Sequence, residues 1–177
     1  MTDSNHERER VTLGIHKLHK SVKDPVVGSK WSACFDIHAW LHPFNSVRVI
    51  SPQNNMQYIT IGEDKTLTIL GGWRAYVPTG LVFVIPWGHS VRVHARSGNA
   101  VNHGIVLANG EGIIDCDYTH EAFQPIINIA DVPYTFHDGD RICQAEVLRD
   151  YHIDFEFHDN APTQRADRKG GFGSSGR

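Results

Sequence analysis

The chain has 177 residues, the size of one domain with short tails. Its 17 Lys and Arg against 20 Asp and Glu leave a net charge of −3, which argues against stable nucleic-acid binding along the whole chain and leaves room only for a local basic pocket. Hydrophobic residues make up 40%, enough to build a core.

Residues 1–10 are polar and charged and read as a disordered N-terminal arm. Short β-rich runs broken by Gly, Pro, Asn and Asp follow at 11–18, 35–39, 47–50, 58–61, 66–70, 74–77 and 81–85. Further runs lie at 91–95, 105–107, 112–114, 122–129, 141–148 and 153–157. The stretches 91–95 and 153–157 alternate apolar and polar residues, as half-buried strands do. No window of twelve residues carries a 3.6-residue apolar period. Residues 11–159 are therefore expected to form one all-β domain, a sandwich, jelly roll or distorted β-barrel. From residue 160 the chain turns polar and Gly-rich, and 160–177 reads as a flexible C-terminal arm.

The cysteines Cys34, Cys116 and Cys143 are odd in number and form no Cys-x-x-Cys, which argues against a disulfide framework and a thiolate zinc site. The start lacks a signal-peptide core, and the apolar run 81–87 is too short to span a bilayer. The expectation is a cytoplasmic protein without a membrane partner. His16 and His19 read as surface or core histidines rather than a metal pair.

Four clusters could carry chemistry. Gly112-Ile113-Ile114-Asp115-Cys116-Asp117-Tyr118 leads an apolar strand into carboxylates that could activate water or hold a metal; a solvated turn is the plain alternative. Arg96-Ser97-Gly98-Asn99-Ala100 offers a forked donor, a hydroxyl and open backbone N–H groups to an anion, or is a β-turn with a surface Arg. Gly139-Asp140-Arg141-Ile142-Cys143-Gln144 puts a tight turn before a strand, where Asp and Arg could simply pair. Arg168-Lys169-Gly170-Gly171-Phe172-Gly173-Ser174-Ser175-Gly176 is cationic and flexible with one aromatic, suited to a lid that stacks on a flat ring or to a mere linker.

Together and in order, these segments and Ser32-Ala33-Cys34-Phe35-Asp36-Ile37-His38-Ala39 resemble the five motifs of the homotrimeric dUTPase family. The chain departs from the family pattern at Asn99, where Leu is usual, and at Thr119-His120, where Arg-Gly is usual. The stretch 42–70 is longer than usual and reads as an inserted hairpin. In the last motif Arg168 stands four residues before Phe172, and Arg165 seven before, where the family has an arginine five before.

The resemblance implies hydrolysis of dUTP to dUMP and pyrophosphate. It makes Asp115 the general base for a water attacking the α-phosphorus. It gives Mg²⁺ to the substrate phosphates, with Asp36 as an outer-shell carboxylate. Arg96, Ser97, Gly98 and Gln144 would bind phosphates. Asn109 and Ile114 would border the uracil and Tyr118 the deoxyribose. Phe172 would cover the base while Arg168, Gly173, Ser174 and Ser175 meet the phosphates, the arm reaching a neighbouring subunit of a homotrimer. Rival readings are a dCTP deaminase of the same fold, a pyrophosphatase for a 5-substituted dUTP, and a regulatory binding protein using the 42–70 segment. The deaminase needs a glutamate ten residues after Asp115, where this chain has Pro125.

Overall fold

The computed structural model describes residues 9–163. Fourteen strands and one short helix follow in order: β1 (Gly14–Lys17), β2 (Val26–Val27), β3 (Phe35–His38), β4 (Ser46–Ile50), β5 (Met56–Thr60), β6 (Thr66–Ile69), β7 (Arg74–Val77), β8 (Leu81–Val84), β9 (His89–Ala95), α1 (Ser97–His103), β10 (Ile105–Leu107), β11 (Gly112–Ile114), β12 (Gln124–Asn128), β13 (Tyr134–His137) and β14 (Arg141–Arg149). Two five-stranded antiparallel sheets, β10-β12-β7-β4-β5 and β11-β9-β14-β3-β2, are joined by the pairs β1-β8 and β13-β6. This is the expected all-β, jelly-roll-like architecture.

Period-two patterning explains why the sheets stack. Val47 and Val49 of β4, Ala75 and Val77 of β7 and Ile126 of β12 face inward from one sheet. Ile37, Val91, Val93, Cys143 and Ala145 face inward from the other. They meet in a single apolar cluster, the main favourable term for such a fold. Cys34, Cys116 and Cys143 are free thiols, and burial pushes the Cys143 thiol far up.

Four local expectations differ from the structure. The stretch 153–157 is exposed and extended rather than a strand, because alternation supplies one apolar face but no neighbouring edge to take its backbone hydrogen bonds. Residues 26–27 and 134–137 do form strands; the first is only two residues long, and the second wedges Phe136 into the core beside β6. The segment after Arg96 is a helix rather than a β-turn, ended by Gly104 in the left-handed region with its N–H on the Ala100 carbonyl. Within 42–70, β4 and β5 form the hairpin and β4 also pairs with β7, whereas β6 pairs with β13. Among the described residues no helix is long and apolar enough to cross a membrane.

One carboxylate fastens the loop between β7 and β8. Glu121 Oε1 accepts from the Thr79 N–H at 3.0 Å and the Gly80 N–H at 2.7 Å. Gly80 has φ +67°, and a Cβ there would collide with Val22 and Trp40. Burial pushes the Glu121 carboxyl above its usual range, and the two amides pull it partly back. The folded chain therefore holds this proton at a pH where the unfolded chain has already lost it. Stability should fall as pH rises from the ordinary glutamate range through the raised value. Glu121→Gln keeps an acceptor for both amides and should lack this slope in urea melts run at a series of pH values. An unchanged slope would refute the assignment.

Candidate functional site

The strand β11 pairs with β9 through Gly112 and Val93, and a Cβ on Gly112 would lie 3.1 Å from that of Val93. The turn that precedes it carries Gly110, φ +77°, and links β10 in one sheet to β11 in the other. Where the strand ends, the chain turns, with the Tyr118 N–H on the Asp115 carbonyl at 3.1 Å. The Tyr118 hydroxyl donates to the Glu121 carbonyl at 3.0 Å, which fixes its ring. A groove of about 440 Å³ opens here, lined by Asn109, Gly112, Ile113, Ile114, Asp115 and Tyr118 together with Arg48, Tyr76, Gln124 and Pro125. Asp115 is exposed, and its carboxylate takes no hydrogen bond among the described residues. Asp117 does not line the groove.

The other sequence-predicted residues gather in a second place. Asp36 on β3 lies opposite Gln144 on β14. Its Oδ1 accepts from Arg96 Nε at 2.8 Å and its Oδ2 from Arg141 Nη1 at 3.1 Å. Its side chain is only 15% exposed. A carboxylate this sheltered is costly alone, and the two guanidinium groups offset that cost. The pairing spends one N–H of Arg96 and leaves its remaining donors for an anion. Gln144 donates from Nε2 to the Ala95 carbonyl at 3.1 Å. Ser97 and Gly98 stand exposed at the start of α1, and no described atom lies within 4 Å of where a Cβ on Gly98 would sit. Neither Arg96, Ser97, Gly98, Gln144 nor Asp36 lines the groove. Around Asp36, Lys23 and His38 add further polar groups. Desolvation first, then the Lys23 charge, pushes the His38 imidazole down. Its Nδ1 is buried without a partner.

Both oxygens of Asp36 are taken by guanidinium groups, so it does not suit direct coordination of a cation. Among the described residues no three His, Cys, Asp or Glu side chains converge as a metal cage. The spare lone pairs of this donor set could reach a hard cation only through the cation's own water ligands.

Two departures from the family pattern find physical reasons. Asn99 is 9% exposed and donates from Nδ2 to the Arg141 carbonyl at 3.0 Å, locking α1 to β14. Thr119 and His120 lie outside the groove wall; His120 meets Tyr118 edge to face at 5.7 Å. Arg48, Tyr76, Gln124 and Pro125 are among the lining residues that sequence reading did not single out as binding residues. Nothing in local composition marks them, since only the pairing of β4, β7 and β12 brings them together. Arg168, Phe172, Gly173, Ser174 and Ser175 lie outside the described residues.

Comparison with known proteins agrees with this geometry. The family model for dUTPase matches residues 59–176. The deoxyuridine 5'-triphosphate nucleotidohydrolase of Wolbachia sp. subsp. Brugia malayi is 37% identical over 174 residues, 97% of this chain and 97% of that protein, which takes in the Asp36 segment. The protein of that name from Finegoldia magna is 36% identical over 142 residues, 73% of this chain and 98% of its own length. Among solved structures, the Staphylococcus bacteriophage 80alpha dUTPase with dUPNHPP superposes with a TM-score of 0.72 at 19% identity. That match covers 94% of this chain and 99% of the phage protein. The dUTPase from phage phi11 of S. aureus superposes with a TM-score of 0.65 at 17% identity over 87% of this chain and all of its own. These two likenesses speak for the fold. The family match and the two relatives establish that this chain belongs to the dUTPase family.

Proposed function

We propose that this chain hydrolyses dUTP to dUMP and pyrophosphate, as a homotrimer and with Mg²⁺ bound to the substrate phosphates. The observation that carries the reading is the groove itself. It collects in its lining Asn109, Ile114, Asp115 and Tyr118, the residues that base, sugar and attacking water would need. Family membership supports the reaction class.

Asn109 and the backbone of the 109–115 segment would hold uracil, with Ile114 against the nucleoside. The Tyr118 ring, pinned by its hydroxyl, would lie under the deoxyribose and leave no room for a 2'-hydroxyl. Asp115 would take a proton from a water as that water's oxygen bonds to the α-phosphorus. The bond from the α-phosphorus to the bridging oxygen would break, and pyrophosphate would leave with that oxygen and its electron pair. Arg96, Ser97, Gly98 and Gln144 would grip the phosphates, so that positioning and charge neutralisation supply most of the rate. Mg²⁺ on the triphosphate would withdraw charge from its oxygens, and Asp36 would meet it through water. Phe172 would close over the base, with Arg168, Gly173, Ser174 and Ser175 on the phosphates.

Two features support a trimer. Asp36 and Arg96 do not line the groove, and a second copy of the chain would supply them to it. The extended stretch 151–157 leaves Tyr151, Ile153, Phe155 and Phe157 between 68% and 93% exposed. That is a ready strand face for a neighbouring copy. A closed ring of head-to-tail contacts accommodates both.

The rivals lose support. Pro125 lines the groove where a deaminase needs a glutamate, and proline moves no proton. The departures at Asn99, Thr119 and His120 do not reach the groove, so they give no reason to expect a modified base.

In a nucleotide panel, the chain should release pyrophosphate from dUTP in the presence of Mg²⁺, with little from UTP, dCTP or dTTP and no ammonia. Asp115→Asn should lower turnover by about 100-fold or more while nucleotide affinity stays within a few-fold. Unchanged turnover would refute the role of Asp115. Asp115→Asn and Ser97→Ala chains, each impaired alone, should regain activity when refolded together, because some mixed sites then take both intact halves. No recovery would contradict a site shared between copies.

A further inference from the structure

Glu121 carries a half-buried carboxyl that the proposed reaction does not use. It does not line the groove, but Tyr118, Ala122 and Phe123 on either side of it do. Its Oε1 accepts from the Thr79 and Gly80 N–H groups at 3.0 and 2.7 Å. Its main-chain carbonyl accepts from the Tyr118 hydroxyl at 3.0 Å and from the Phe123 N–H at 2.9 Å. One residue thus joins the 79–80 loop to the groove lining, by its side chain in one direction and by its main chain in the other.

The two ends of this link differ in firmness. The loop is held on several sides. The Leu18 N–H donates to the Gly80 carbonyl at 2.9 Å and the Trp40 N–H to the Pro78 carbonyl at 2.9 Å. Thr79 Oγ1 donates to the Ala122 carbonyl at 3.1 Å and accepts from the Leu81 N–H at 3.1 Å. The Tyr118 side chain, by contrast, belongs to a residue that is 41% exposed. Its N–H on the Asp115 carbonyl fixes the main chain and not the ring. The ring has only its hydroxyl bond to Glu121 and an edge contact with the exposed His120. A ring held by one hydrogen bond is placed only as well as its acceptor is placed. That acceptor is the carbonyl of the residue whose carboxyl grips the loop.

We propose that Glu121 is a positioning residue: its carboxyl anchors the carbonyl that directs the Tyr118 ring, and so governs how closely that ring fits a nucleotide's sugar. This rests on the reading of the groove as a deoxynucleotide site. Glu121 acts at one remove and touches no part of the nucleotide. With the carboxyl gone, the 118–121 turn loses its tie to the 79–80 loop and the ring can swing. A swinging ring opens space beside the sugar, and a 2'-hydroxyl that a fixed ring excludes then finds room. Misplacement by about an ångström is enough to change rates by up to ~100-fold. The loss here is smaller, because the Ala122 N–H stays on the Leu81 carbonyl at 2.8 Å.

The test compares the wild-type chain with three variants. Glu121→Ala removes the grip, Glu121→Gln keeps an acceptor for both amides, and Tyr118→Phe keeps the grip but removes the hydroxyl. Steady-state kcat/KM for dUTP and UTP, and calorimetric binding of dUMP and UMP, read the sugar preference with and without turnover. Melting temperatures confirm folding. Glu121→Ala should lower the preference for deoxyribose roughly tenfold, Glu121→Gln should stay within a few-fold of wild type, and Tyr118→Phe should match Glu121→Ala. The double variant should be no worse than the poorer single, because both changes cut one chain of contacts. An unchanged preference in Glu121→Ala, or losses that multiply in the double variant, would overturn the proposal. If Glu121→Ala does not fold, Glu121→Asp, shorter by one methylene, carries the same expectation. A second readout needs no nucleotide: with ¹³C-labelled tyrosine rings, the Tyr118 signal, identified by its loss in Tyr118→Phe, should shift and broaden in Glu121→Ala and not in Glu121→Gln. An unmoved signal would overturn the proposal. A chain that binds neither dUMP nor UMP refutes the nucleotide reading of the groove, and the ring signal still decides whether Glu121 places Tyr118.

Discussion

The carboxylate of Asp36 is the constraint that fixes the start of α1 and the start of β14 against β3. It draws together three segments far apart in sequence: its own strand β3, the Arg96 that opens α1, and the Arg141 that opens β14. Buried between two guanidinium groups, it cannot lose either without leaving a poorly solvated charge, a change that costs about 3–5 kcal/mol in fully buried pairs and less here, where Arg141 is half exposed. The same contact neutralises part of the Arg96 charge and sets the direction of its remaining donors. The start of α1, where Ser97 and Gly98 stand open to solvent, is thereby held at a fixed place on the sheet. Asn99 adds the second tie, from α1 to the Arg141 carbonyl.

The groove depends on a different set of contacts. The 112–114 strand is aligned by the β9-β11 register, Tyr118 is pinned to the Glu121 carbonyl, and the Glu121 side chain holds the 79–80 loop. On the proposed reading, base and sugar recognition would rest on local backbone geometry and phosphate recognition on the ion-pair network at Asp36. A second copy of the chain would then bring the two groups of residues to one site. Pre-organisation of that kind suits phosphoryl transfer, where placement and charge carry most of the barrier reduction.

Much of this is legible in the sequence. Alternation locates most strands, because inward positions on the two sheets have to be apolar, and the five motifs mark Asp36, Arg96, Asp115, Tyr118 and Gln144 in order. What stays hidden is non-local. Alternation at 153–157 signals a strand face but not a partner edge, and the single chain offers none among the described residues. The helix at Ser97–His103 is too short to show a period, and Gly104 is its one local mark. Arg48 and Tyr76 stand 28 positions apart, so only sheet pairing shows that they stack and share the groove with Asn109. Asn99 departs from the family pattern at a core position, and only its hydrogen bond to the Arg141 carbonyl reveals that it serves packing rather than the base pocket.

The central claim is that the water oriented by Asp115 attacks the α-phosphorus. Hydrolysis of dUTP in ¹⁸O-labelled water, with mass analysis of both products from a single turnover, tests it most directly. The account predicts that the label appears in dUMP and that the pyrophosphate is unlabelled. Label in the pyrophosphate would mean attack at the β-phosphorus and would contradict the placement of Asp115 in the reaction.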